Sequence, residues 1–232
     1  MIEMIFNLAK KNKILIASCT KEKDQAKTLL NRSLLDNPPL LCDKNFVLNN
    51  KNGLSYAYNK IIDAQINHYD FIVFIHDDVY LDCINLADKL ERAKNELKYD
   101  IIGVAGTTMP KITHPALWHI MGERSNHKGF AGHIAPDGSK YMTSFGPTPS
   151  RATIIDGLFI AINCNAVKRT GWRFNENFEF HHYDISSCID ANRLKMRIGV
   201  IPIMLFHKSP GLASIDQPDW AESNKKFLSI YS

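Results

Sequence analysis

The apolar run Phe71-Ile72-Val73-Phe74-Ile75 leads straight into His76, Asp77 and Asp78. Adjacent carboxylates repel each other and are costly to desolvate, so a buried strand does not end in a pair of them without a compensating partner. A divalent cation is one such partner, held where the carboxyl ends of parallel strands open onto a crevice. A solvated turn or a helix cap is the plainer alternative. His207 stands in a comparable place, after Met204-Leu205-Phe206 and before the loop signal Lys208-Ser209-Pro210-Gly211. It reads as a structural histidine or, joined by an aspartate from another strand end, as part of a ligand set for a borderline metal such as Mn²⁺. Asp184 opens an apolar-periodic segment after Phe178, Phe180 and Tyr183. Aspartate is a good helix N-cap, but aromatic surroundings also raise a carboxylate's proton affinity towards that of a general base. The neighbouring His181-His182 pair cannot face one ion from a regular element, because adjacent side chains point apart.

Several elements must position these groups. Lys13 to Cys19 reads as a first buried strand, and Lys21 to Leu35 carries helical spacing that Asn37-Pro38-Pro39 breaks. A short strand near Phe46 to Leu48, a helix over 54–67, the strand at 71–75, a helix over 84–97 and a strand over 101–105 follow. Strands alternating with helices through short connections predict a mostly parallel sheet covered by helices. From Gly106 to Ser150 the chain is rich in Gly, Pro, His and Ser, which predicts a long loop region, either functional or mobile. Beyond it the spacing predicts a strand over 153–162 interrupted at Asp156-Gly157, a helical turn near 165–169 and a helix over 184–196. A last strand over 200–206 and a closing helix over 219–230 end the series. No repeat or low-complexity linker divides the chain, so residues 1–232 are expected to form one domain.

Composition narrows the function. A net charge of +4, spread rather than clustered, argues against nucleic acid as the main partner and leaves anionic substrates welcome. The five cysteines, Cys19, Cys42, Cys83, Cys164 and Cys188, show no metal-type spacing and read as reduced core thiols of a cytoplasmic protein. Met1 to Lys11 is too short and polar for a signal peptide and fits an amphipathic helical turn. No run approaches the ~20 apolar residues of a transmembrane helix, although peripheral membrane contact is compatible with the sequence. The first strand is followed by Ala17-Ser18-Cys19-Thr20-Lys21, with no Gly-rich dinucleotide or phosphate loop. A Walker lysine and a Gly-x-Ser-x-Gly elbow are missing as well.

Taken in order, the segments Asn49 to Asn59, Phe74-Ile75-His76-Asp77-Asp78-Val79, Ile155-Asp156-Gly157, Phe180-His181-His182-Tyr183-Asp184-Ile185 and Gly199 with His207-Lys208-Ser209 resemble those of family-2-type glycosyltransferases. The likeness is greatest to the small bacterial branch described as glycosyltransferase-like, and it covers nearly the whole chain. It implies an α/β architecture of the GT-A fold, a mostly parallel twisted sheet flanked by helices. Residues 1–105 would be the nucleotide-binding half, 106–150 a variable acceptor-side loop region and 151–232 the acceptor and catalytic half.

The resemblance also implies chemistry. A nucleotide-diphospho-sugar, most simply a UDP-sugar, would lie across the ends of the first strands, with Mn²⁺ or Mg²⁺ bridging its phosphates. Asp78 and His207 would hold the metal, and Asp184 would be the general base that deprotonates an acceptor hydroxyl. Asn59 and Gly53 match positions near the nucleotide, and Asp156-Gly157 match positions beside the donor sugar. His76 stands where relatives carry an acid, which leaves Asp77 to take that acid's contact. The acceptor would be a glycan, a lipid-linked sugar or a small molecule. The alternatives are a nucleotidyltransferase or metal phosphohydrolase on a related sheet, or a nucleotide-binding module that has lost catalysis.

Overall fold

The computed structural model describes residues 13–39, 42–109, 114–208 and 217–231. Two sheets make up its centre. The first has seven strands in the order β2 (Cys42–Val47), β1 (Ile14–Cys19), β3 (Phe71–Ile75), β11 (Phe159–Asn163), β5 (Ile101–Gly103), β12 (Ile198–Val200) and β9 (Ser150–Arg151). The second has six. Five run in the order β10 (Ile154–Ile155), β6 (Ala105–Thr107), β7 (His127–Ile134), β13 (Leu205–His207) and β4 (Val79–Leu81), while β8 (Lys140–Ser144) pairs with β7 from the side.

The chain passes between the sheets several times, and four of these passages build the site. β3 leads into β4 through residues 76–78, β5 into β6 through Val104, β10 into β11 through 156–158, and β12 into β13 through 201–204. Backbone hydrogen bonds tie these breaks into a continuous crease. His76 N–H donates to the Leu158 carbonyl at 3.2 Å, Asp156 N–H to Ala105 at 3.0 Å, Ile201 N–H to Gly103 at 3.0 Å and Lys208 N–H to Asp78 at 2.9 Å. Three of the four passages leave the first sheet for the second, but β10 to β11 runs the other way. β11 therefore enters the first sheet in reverse and pairs antiparallel with both β3 and β5, while β1–β2, β1–β3 and β5–β12 stay parallel. The sheet is accordingly more mixed than βα alternation suggests.

The core lies along β3, whose five residues are wholly buried. That burial is why a run of β-branched and aromatic residues occurs there without polar interruption. α2 (Leu54–Gln65) packs Tyr58 against Phe74 with ring centroids 4.4 Å apart, and Phe174 meets Phe74 edge-on at 5.1 Å. The remaining α-helices among the described residues are α1 (Leu29–Asp36), α3 (Leu86–Asn95), α4 (Trp118–Met121), α5 (Cys164–Thr170), α6 (Tyr183–Arg193) and α7 (Pro218–Tyr231). α1 begins later than its apolar spacing predicts because the Thr28 hydroxyl accepts the Asn31 N–H at 3.1 Å and so caps it there. Cys19, Cys83, Cys164 and Cys188 are buried free thiols.

Three expectations need correction. The strand expected over 101–105 is two strands in different sheets, β5 and β6, parted at Val104. Residues 106–150 do not form one long loop: β7 and β8 make a hairpin whose turn is closed by Gly138 at φ 85°. The glycines inside β7 and the exposed polar residues of β8 hid the alternation from sequence. The expected single strand over 200–206 is two strands in different sheets, separated at Pro202, which has no N–H to donate to a ladder. The N-terminal helical turn expected at Met1 to Lys11 lies outside the described residues. Among the described residues, no helix is long and apolar enough to cross a membrane.

Candidate active site

The crease gathers the polar strand ends. One ligand-type atom from each of His76, Asp78 and His207 lies within 4.8 Å of the others. Oδ1 of Asp78 is 3.1 Å from Nε2 of His207, an ion-pair distance, yet the atom is sealed from solvent and has no partner in hydrogen-bond geometry. Burial opposes ionisation of Asp78, but the contact with His207, and then the charge of His76, hold its carboxyl below the usual range. The same contact lifts His207 above the ordinary imidazole value against the pull of burial. His76 is pushed down, by burial first and by His207 second. A buried carboxylate oxygen with no hydrogen bond, faced by two imidazoles, is a donor set that fits a divalent cation.

On the other side of His76, Nε2 lies 3.0 Å from the Tyr183 hydroxyl, which donates to the Gly157 carbonyl at 2.8 Å. Asp184 then takes the Gly157 N–H on Oδ2 at 2.9 Å and the Ile185 N–H on Oδ1 at 2.8 Å. Both peptide groups of Gly157 are thus clamped from α6, and a Cβ there would meet the Tyr183 hydroxyl. Burial, then the neighbouring Asp156 carboxylate, push Asp184 up to about 7. Asp184 sits in the first turn of α6 rather than at its N-cap, which is His182 in a left-handed conformation. Asp156 spends its Oδ1 on the Leu158 N–H at 3.0 Å, holding the turn into β11.

A cleft of about 610 Å³ adjoins this constellation. Thr20 and Lys21 after β1, Asn50, Lys51 and Gly53 before α2, Asp77 on the crease and Glu179 to His181 line it, and Gln217 and Asp219 close it near α7. Gly53 has φ 76°, and a Cβ on it would come within 2.7 Å of Glu179, so glycine is required where the two walls meet. Asp77 faces this cleft while its neighbours His76 and Asp78 join the triad. His181 lines the cleft as well, whereas His182 is buried and bonds Ser223 at 2.9 Å. The pair therefore diverges, as adjacent residues must.

Asn59 is the expected site residue that stands apart. Its amide donates to the Phe174 carbonyl at 2.9 Å and to Glu176 at 2.8 Å, and it accepts the Phe174 N–H at 2.9 Å. It does not line the cleft; it fixes the segment that becomes the cleft's far wall. Sequence reasoning missed Tyr183 as the link between His76 and Gly157. Its only signal was an aromatic residue directly before Asp184. The contribution of α7 had none.

A family model described as "Glycosyltransferase like family" matches residues 15–231. Among solved structures, the fold is similar to A197 from STIV, with a TM-score of 0.54 and 11% identity over 85% of this chain and 86% of that one. It is similar to TarS 1-349 from S. aureus in complex with UDP, at 0.52 and 12%, over 94% and 64% of the two chains. It is also similar to the mannosyltransferase PcManGT from Pyrobaculum calidifontis in complex with GDP-Man and Mn²⁺, at 0.50 and 11%, over 88% and 59%. The chain thus spans most of the first but less than two thirds of the other two. Identities this low speak for the fold alone, and they bear out the GT-A architecture expected from the ordered motifs. No curated protein matches the sequence.

Proposed function

The chain belongs to the glycosyltransferase like family, and we propose that within it the protein is a metal-dependent, inverting transferase that takes its sugar from a nucleotide-diphospho-sugar, most simply a UDP-sugar. The observation that carries this reading is the crease itself: a cation-fitting triad, a carboxylate poised near 7 and a nucleotide-sized cleft meet there.

The nucleotide would occupy the cleft, with the ammonium groups of Lys21 and Lys51 at its rim towards the diphosphate. Asp78 and His207 would hold the metal. A bound divalent cation supplies Lewis-acid charge to the departing nucleoside diphosphate. Asp184 takes the proton of the acceptor hydroxyl as the new glycosidic bond forms and the bond to the phosphate oxygen breaks. A carboxyl that titrates near 7 suits this role, because at neutral pH it is both substantially ionised and basic enough to accept a proton. The clamp on Gly157 keeps that carboxylate oriented. Asp156, beside it, keeps its proton affinity high. The acceptor is a glycan, a lipid-linked sugar or a small molecule, and the β7–β8 hairpin beside the crease is where it would be met. Cytoplasmic action is part of this proposal.

Incubation with a UDP-sugar and Mn²⁺ tests it. Release of UDP with transfer or hydrolysis supports a glycosyltransferase. Release of a sugar phosphate identifies a nucleotidyltransferase or phosphohydrolase instead. Calorimetry that finds no nucleotide binding with or without metal identifies a module that has lost catalysis.

A further inference from the structure

We infer that His76 is itself a metal ligand, through Nδ1, and that Tyr183 is the positioning residue that presents it. The inference rests on the metal-dependent reading above and goes beyond it in naming the ligand atom and the class of ion. His76 offers a nitrogen within 4.8 Å of the ligand atoms of Asp78 and His207, and its ring centroid lies 5.8 Å from that of His207.

The hydrogen-bond chain decides which nitrogen is available. A tyrosine hydroxyl has one proton, and that of Tyr183 goes to the Gly157 carbonyl at 2.8 Å. Its oxygen can only accept from His76, so Nε2, at 3.0 Å, carries the imidazole proton. In the neutral ring the lone pair then sits on Nδ1. Tyr183 cannot swing away to relax this choice, because it is buried, with Tyr58 at 6.1 Å and Phe174 at 6.0 Å between ring centroids. The tautomer is therefore fixed by the core and by the backbone of Gly157.

Two imidazole nitrogens and one carboxylate form a set that suits transition ions. Mg²⁺ prefers oxygen ligands in octahedral geometry. The site accordingly takes Mn²⁺ or Co²⁺ in preference to Mg²⁺. A group that orients a ligating imidazole typically contributes 10–100-fold in metal affinity.

Metal-free protein titrated with Mn²⁺ and with Mg²⁺, without any sugar donor, tests this directly. Pulsed EPR of the Mn²⁺-loaded wild type counts coordinated imidazole nitrogens independently of any variant. Two nitrogens are expected, falling to one in His76→Asn and to one in His207→Asn. Tyr183→Phe should weaken Mn²⁺ by about tenfold or more, and should cost nothing further when His76→Asn is already present. Thermal unfolding of each variant separates loss of metal from loss of fold. One nitrogen in the wild type, wild-type Mn²⁺ affinity in His76→Asn, or no Mn²⁺ binding at all overturns the inference. Mn²⁺ bound through two nitrogens by a protein that turns over no nucleotide sugar sinks the transferase reading and leaves the metal centre standing.

Discussion

The carboxylate of Asp184 holds the backbone N–H of Gly157 at 2.9 Å, across the crease where β10 gives way to β11. This bond makes Asp184 both an anchor and the group best placed to take a proton. Asp184→Asn keeps an oxygen to accept the Gly157 amide and loses basicity. Transfer should fall by roughly 10²–10⁴, measured as UDP release, while metal-dependent nucleotide affinity stays at the wild-type value by calorimetry. A variant that still transfers sugar at near the wild-type rate would leave Asp184 with the anchoring role alone.

The pH profile follows from the same residue. Asp184 is raised to about 7, by burial first and by Asp156 second. A carboxyl raised in this way is protonated, and useless as a base, below that pH. The rate should therefore fall by about tenfold per pH unit below 7 and level off above it. Its stability contribution has the opposite sign. The folded state holds this proton more tightly than the unfolded chain does, so the group adds stability as pH drops from 7 towards the ordinary carboxylate range. Asp156→Asn removes the second cause and should move the activity limb to lower pH. A limb that stays in place would show that Asp156 does not act on the base.

Gly157 has no room for a side chain. A Cβ there would meet the Tyr183 hydroxyl and lie 2.8 Å from Cζ of the same ring. Because Tyr183 is packed among other aromatics, it cannot retreat without disturbing them. Gly157→Ala should cost about 1–3 kcal/mol in chemical denaturation, the usual range for overpacking. It should also weaken Mn²⁺ binding, since the Tyr183 hydroxyl is displaced from His76. An unchanged denaturation midpoint would show that the clamp is slack.

The buried strands and the helices were legible because their apolar spacing has a period, and β3 was the clearest since both its faces are covered. The crease was legible only in part. His76, Asp77 and Asp78 announce themselves as charge after a buried run, and Asp184 and His207 as polar ends of apolar segments. What sequence alone does not carry is direction. Nothing in residues 153–162 shows that β11 enters its sheet in reverse, because strand polarity is set by the passage between sheets and not by side-chain pattern. The β7–β8 hairpin was hidden for a related reason: its partly exposed strands, with Gly129 and Gly132 inside β7, take their register from neighbours rather than from alternation. Tyr183 was visible as an aromatic residue, but its role lies in one hydroxyl contact with a residue far along the chain.

Asn59 separates the resemblance from the geometry most cleanly. Its place in the ordered motifs implies contact with the nucleotide, whereas its amide group makes three hydrogen bonds to residues 174–176. Ser55, one turn earlier on α2, does the same job further along by donating to the Phe178 carbonyl at 2.6 Å. Together they fasten α2 to the segment that reaches the cleft at Glu179. Asn59→Ala would strand the N–H and C=O of Phe174, which is buried, without their partner. Leaving buried polar groups unpaired costs about 1–3 kcal/mol, so the denaturation midpoint should drop clearly. Nucleotide affinity should hold at temperatures where the variant is folded, because Ser55 still pins the wall beside the cleft. Stability near the wild-type value together with tenfold weaker nucleotide binding would reverse the assignment and put Asn59 in contact with the donor.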